Sequence, residues 1–258
     1  MTMVLGVRGR EGVFLSSDKQ ATYGDTKLYS NKIFRLGSAG IIGVAGASWI
    51  CNEMISMLRQ NFSKEFNTGL SYARRHDMMD KLSSEVSNNR RRLKTLNSRE
   101  MEENLTSFGV IMGFIDKDKR RADLIYSNSS GISEGVNIKD MLFNGSMDEI
   151  AIGFANQILR GSKISKMSSE EIKFVMYKII RDIEEISTSV GLGVDIWSLS
   201  NDGRVKNYGR SELKRFENLY NRLRSDEAKT YKRLYSMLRV EDKEMVEDRN
   251  RRRSEAKR

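Results

Sequence analysis

The sequence predicts an α+β fold of four layers, αββα, in which two antiparallel sheets lie face to face and a helix pair covers each outer side. Three observations predict it. Short apolar runs bounded by glycine turns read as strands. Between them lie paired segments whose apolar residues recur at helical spacing. The order along the chain is strands, two helices, strands, two helices, strands, which segregates strands from helices and argues against alternating βαβ units.

MVLGV, a GREG turn and VFLSS open the chain, and KIFRL, a GSAG turn and IIGVA follow, which makes two hairpins. WICNEMISMLRQ carries apolar residues at 50, 54, 55 and 58 and reads as an amphipathic helix. A second helix is expected over about 69–96. Strands return at 107–116 and 121–128 around a KDKR turn; the first of these is nearly all apolar, as expected of a strand buried on both faces. MDEIAIGFANQIL forms the third helix, and Ser168 with Glu171 opens the fourth as a capping box. A hairpin turning at Asn201, Asp202 and Gly203 closes a domain over residues 1–208.

Residues 209–258 form a charged extension. Leu213, Phe216, Tyr220 and Leu223, then Tyr231, Leu234 and Leu238, draw an apolar stripe that predicts a long helix or a helical hairpin, its partner being either the domain itself or a neighbouring subunit. The final RNRRRSEAKR has no apolar side chain beyond an alanine and is expected to be disordered. The extension holds 16 Lys and Arg against 10 Asp and Glu, a balance of +6 out of +10 for the chain. Because the acids are interspersed, a solvated helix accounts for it, and nucleic acid is not expected as a partner.

Composition narrows the function classes. A chain of 258 residues buries a sizeable core. One cysteine, Cys51, excludes an internal disulfide, and no apolar run reaches the roughly 18 residues that cross a bilayer, so a cytoplasmic location away from membranes is expected. With His76 as the sole histidine, set among Arg74, Arg75 and Asp77, neither a zinc cluster nor a Ser-His-Asp triad is expected. No cofactor is expected. The GLG at 191–193 follows no strand and lacks a third glycine at dinucleotide spacing, and no Walker-type loop occurs, so any ATP hydrolysis belongs to a separate ATPase partner.

The chemistry points to the start of the chain. Loss of Met1 would make Thr2 the terminus, with a hydroxyl nucleophile and an amine of pKa about 7.7–8.0 on one residue, so no histidine is needed as base. Asp18 ends the second strand and Lys32 opens the third, and pairing of those strands would bring the carboxylate and the ammonium together. Thr2, Asp18 and Thr22 in the pattern T-x(15)-D-x-x-x-T, Asn31 and Lys32 leading into a strand, and AGAS at 45–48 before a helix resemble the proteasome β-subunit family. SDKQATYGDT at 17–26 is similar to the HslV peptidase branch.

The resemblance covers about residues 2–205 and implies the N-terminal nucleophile (Ntn) hydrolase fold, the same four-layer sandwich. It implies a threonine-type endopeptidase in which Thr2 supplies the attacking oxygen and Lys32 a fixed positive charge. Asp18 would orient Lys32, the Gly46 N–H would form the oxyanion hole, and Ser146 would bond the terminal amine. Ala21, Val44 and Ser48 would line the pocket for the residue before the scissile bond, and Thr22 and Ala47 would bind the substrate backbone as an added strand. The substrate would be peptide or unfolded protein, and the assembly a homo- or hetero-oligomeric ring. In one place the sequence departs from the family: no carboxylate stands in SerThrSerVal before Gly191, though Ser189 is available to replace a serine there. A catalytically silent structural or binding subunit, and an Ntn-type transpeptidase, are the alternatives.

Overall fold

The computed structural model describes residues 3–23, 26–46, 48–95, 109–128, 131–133, 140–145, 147–160 and 162–255. In chain order the strands of the first half are β1 (Met3–Arg8), β2 (Gly12–Asp18), β3 (Gln20–Tyr23), β4 (Thr26–Tyr29), β5 (Ile33–Arg35) and β6 (Gly40–Ala45). Helices α1 (Ser48–Phe62), α2 (Glu65–Thr68) and α3 (Tyr72–Thr95) follow, then β7 (Gly109–Asp116), β8 (Arg121–Asn128), β9 (Gly131–Ser133) and β10 (Met141–Gly145). Then come α4 (Asp148–Ile158), a short 3₁₀ turn (Ile164–Lys166), α5 (Ser169–Ile186), β11 (Val194–Ser200), β12 (Val205–Asn207) and α6 (Arg210–Glu255).

The strands form two five-stranded antiparallel sheets, ordered β10-β1-β2-β11-β12 and β5-β6-β7-β8-β9, and one separate hairpin, β3-β4. Both hairpins of the N-terminal stretch are present, with Val4 opposite Ser17 and Ile33 opposite Gly43. They belong to different sheets, so the second and third of the expected strands do not pair. Between the sheets Val4, Val13 and Leu15 meet Ile33, Ile41, Ile111 and Leu124 in one apolar layer. Close approach needs glycine at two points: a Cβ on Gly6 would lie 2.6 Å from Ile111 Cγ2, and one on Gly43 2.6 Å from Val4 Cγ1.

On the outer face of the second sheet, Ile50, Met54, Leu58 and Phe62 of α1 and Met78, Leu82 and Val86 of α3 pack on Ile42, Val110, Met112 and Phe114. This double burial is why β7 is apolar on both faces. Helices α4 and α5 cover the first sheet. The expected capping box holds: Ser168 N donates to Glu171 Oε2 at 2.7 Å, and Glu171 N to Ser168 Oγ at 3.3 Å. The four-layer αββα sandwich is thus the fold of the chain.

The end of the sandwich that carries Arg8 is closed by charge and by one amide. Arg8 donates to Asp123 Oδ1 at 2.9 Å and to Asp140 Oδ1 at 3.0 Å, and Lys119 donates to Asp123 Oδ2 at 2.7 Å. Asn201, in the β11–β12 turn, donates from Nδ2 to Arg10 O at 2.9 Å and accepts at Oδ1 from Ala122 N at 3.0 Å, so it ties the two sheets together.

The chain divides into compact units over residues 1–209 and 210–258. In the second unit α6 is one uninterrupted helix, not a helical hairpin, and it continues to Glu255 through most of the stretch expected to be disordered. Its charged residues are good helix formers, and that propensity opposes the low apolar content. No described helix is long and apolar enough to cross a membrane.

Candidate functional site

The site lies where β2 of one sheet and the start of β5 in the other come together. Asp18, the last residue of β2, is fully buried and accepts from four donors. Met3 N donates to its Oδ1 at 2.9 Å, Gln20 N to its Oδ2 at 3.1 Å, and Gly191 N to its Oδ2 at 3.3 Å. The fourth is Lys32, whose Nζ lies 2.7 Å from Oδ1 and also donates to Gln20 O. Lys32 sits just before β5, and its carbonyl accepts from Val44 N at 2.9 Å. The ammonium is therefore anchored by the second sheet and the carboxylate by the first. Burial pushes the Lys32 pKa below the ordinary lysine value, and the charge and hydrogen bond of Asp18 oppose that shift. A buried pair held by three further backbone donors is a fixed electrostatic element, costly to break from either side.

Thr2 lies outside the described residues, but the peptide nitrogen that follows it is Met3 N, bonded to Asp18. Ser146 and Ala47 also lie outside them. Gly145, which precedes Ser146, is paired with Met3 across β10 and β1. Gly46 is exposed, has φ of 116°, and stands between β6 and the N-terminus of α1, whose partial positive charge favours anions. The Lys32–Val44 contact puts Gly46 at the same end of the second sheet as the ion pair. Val44 is buried, Ala21 half-buried, and Ser48 exposed as the first residue of α1. The backbone of Thr22 pairs with Lys27. Along α1 from Ser48, a cavity of about 310 Å³ opens between that helix and β5, lined by Phe34, Asn52, Ile55, Ser56, Arg59 and Gln60.

The segment 187–193, where the expected carboxylate is missing, packs against the pair by its backbone. Lys19 N donates to both Gly191 O at 3.0 Å and Gly193 O at 3.1 Å, and Gln20 Nε2 to Thr188 O at 2.7 Å. Ser189 N donates to Ser187 Oγ at 3.1 Å, which uses the local serines to shape the loop. Leu192 takes the left-handed conformation with φ of 59°. Sequence reading passes over Gly191 as a donor to Asp18, because a backbone contact 173 residues away leaves no side-chain signal. It also passes over Asp195, a buried carboxylate on β11 that takes Trp197 Nε1 at 3.0 Å and lies 3.7 Å from Lys19 Nζ. An acid between Val194 and Ile196, in a mostly buried strand, is the one available cue.

No curated protein matches the chain. Among solved structures, the chain is similar to the Anbu (Gly-1) mutant from Hyphomicrobium sp. strain MC1, with a TM-score of 0.65 at 16% identity over 90% of this chain and 97% of that one, a likeness of fold. The family model for the proteasome subunit matches residues 2–199, spanning both sheets and the Asp18–Lys32 pair. The chain belongs to the proteasome subunit family.

Proposed function

We propose that the chain is an N-terminal threonine endopeptidase, armed by removal of Met1. One observation carries this reading: Met3 N, one peptide bond from Thr2, shares Asp18 Oδ1 with the Lys32 ammonium, 2.9 Å on one side and 2.7 Å on the other. The Thr2 hydroxyl attacks the substrate carbonyl while the freed Thr2 amine takes its proton. The C–N bond breaks, the proton passes to the leaving nitrogen, and an ester to Thr2 remains. Water then attacks the ester, returns a proton to the threonine oxygen, and releases the acid. Lys32 lowers the cost of negative charge at the attacking oxygen, and the Gly46 N–H at the helix start receives the oxyanion. Ser146 holds the amine.

Among the described residues β3 has one edge without a strand partner, which suits a peptide added as a strand beside Ala21 and Thr22, with Ala47 opposite. Val44 and Ser48 favour a neutral apolar side chain at the residue before the cut. We further propose a cytoplasmic ring of such subunits, homo- or hetero-oligomeric, fed by a separate ATPase. The absence of a carboxylate in 187–190 favours, as a second reading, a silent structural subunit. Intact mass decides the first point: a chain that retains Met1 has no free threonine amine and fails the mechanism. Thr2→Ala is expected to abolish turnover of a short apolar peptide with the fold intact. Wild-type turnover in that variant would overturn the reading. Aminolysis products formed with an added amine would identify transpeptidation.

A further inference from the structure

We propose that Lys19 and Tyr29 form a latch that fixes the β3–β4 hairpin in the pose that accepts a peptide, which makes them positioning residues for the hydrolase reading above, on which the proposal rests. The hairpin needs such a device. It is a two-stranded sheet separate from the two large ones, and a lone hairpin is marginal in water. All four residues of β4 are exposed, Leu28 at 52% and Tyr29 at 64%, so this strand contributes little burial to hold itself in place.

The base of the hairpin is anchored by backbone. Gln20 N donates to Asp18, and Ser30 N donates to Lys19 O at 2.9 Å. Among the described residues, β4 makes one side-chain bond to the body of the domain: Lys19 Nζ donates to Tyr29 Oη at 2.7 Å. On its other side the ammonium faces Asp195 Oδ1 at 3.7 Å, and Trp197 Nε1 fixes the second oxygen of that carboxylate. The backbone of Lys19 is anchored as well, since its N–H is shared by Gly191 O and Gly193 O. A chain of contacts thus runs from Trp197 on β11 through Asp195 and Lys19 to the outer strand of the hairpin. β4 in turn sets β3 through the pairs Gln20–Tyr29 and Ala21–Leu28. The residue after the catalytic-pair carboxylate therefore connects the ion-pair end of β2 to the strand that meets the substrate.

The test compares Tyr29→Phe, which keeps the ring and deletes the bond, and Lys19→Met with wild type. The expected result is a rise in KM for an apolar fluorogenic tetrapeptide of roughly tenfold, the effect of losing a hydrogen bond to a charged group, with kcat held. Hydrogen exchange of residues 20–29 should quicken in both variants while β7 stays protected. Unchanged exchange in the hairpin would overturn the latch, and faster exchange with an unchanged KM would overturn its role in peptide docking. Failure of the hydrolase reading would show separately, as a wild-type chain that turns over no peptide or as a Thr2→Ala variant with full activity. Exchange would then still decide the latch, and its docking role would fall with that reading.

Discussion

Lys32 and Asp18 make a 2.7 Å ion pair between two sheets that share no strand pairing at that point. The lysine enters from the start of β5 and the carboxylate from the end of β2, so the pair depends on the two sheets being correctly stacked. Substitutions at either residue therefore report on chemistry and on sandwich geometry at once.

Lys32→Ala removes the fixed charge and is expected to lower the rate of the proposed hydrolysis by at least about 10²-fold. It also leaves a buried carboxylate, a change that costs about 3–5 kcal/mol when no other donor is present. Here three backbone N–H groups still reach Asp18, so the variant should fold with a reduced Tm. Asp18→Asn should give a similar rate deficit. Wild-type peptidase rates in both variants would reduce the pair to a structural salt bridge.

The lowered Lys32 pKa predicts an alkaline limit on the proposed hydrolysis. The charged form is the useful one, so the rate should fall as pH rises through the folded-state value, below the pH at which an ordinary lysine titrates. Stability moves the other way in that window, because the unfolded chain binds the proton more tightly than the folded one. Reversible loss of rate with no drop in Tm is the expected pattern; parallel loss of both would contradict it.

At the other end of the sandwich, burial disfavours the charged form of Asp123, but hydrogen bonds from Lys119, Leu124 N and Arg8 outweigh it and hold the pKa below the ordinary aspartate value. Such a group stabilises the fold above its unfolded pKa, and the contribution disappears as pH falls through the folded one. Asp123→Asn should therefore lower Tm at neutral pH, with the gap to wild type closing in strong acid. A constant gap across that range would show that the charge is immaterial.

Cys51 lies on the buried face of α1, and burial raises its thiol to about 12. At pH 8 a maleimide or iodoacetamide should leave the native chain unlabelled and modify it only in denaturant. Rapid native labelling, read by mass, would show that the helix layer opens readily.

Elements that bury a periodic apolar pattern were legible from the sequence: β1 with β2, β5 with β6, α1, and α5 with its Ser168 cap. The β3–β4 hairpin was not, because TKLY is wholly exposed and burial imposes no alternation on it. The pairing of Asp18 with Lys32 was legible as an association, but its route was not, since strand pairing was expected and sheet stacking produces it. Gly191 and Asp195 stayed hidden for a related reason: one acts through its backbone, and the other takes its meaning from Lys19, just after β2, and Trp197 on β11.

Asn201 and the Arg8 cluster staple the two sheets at the end away from the ion pair. The buried Asp18–Lys32 pair joins the same two sheets at the opposite end, so the sandwich is held at both margins, like a book with a spine and a clasp. Opening the clasp by substitution leaves the spine at Asn201 and Arg8 to keep the sheets stacked.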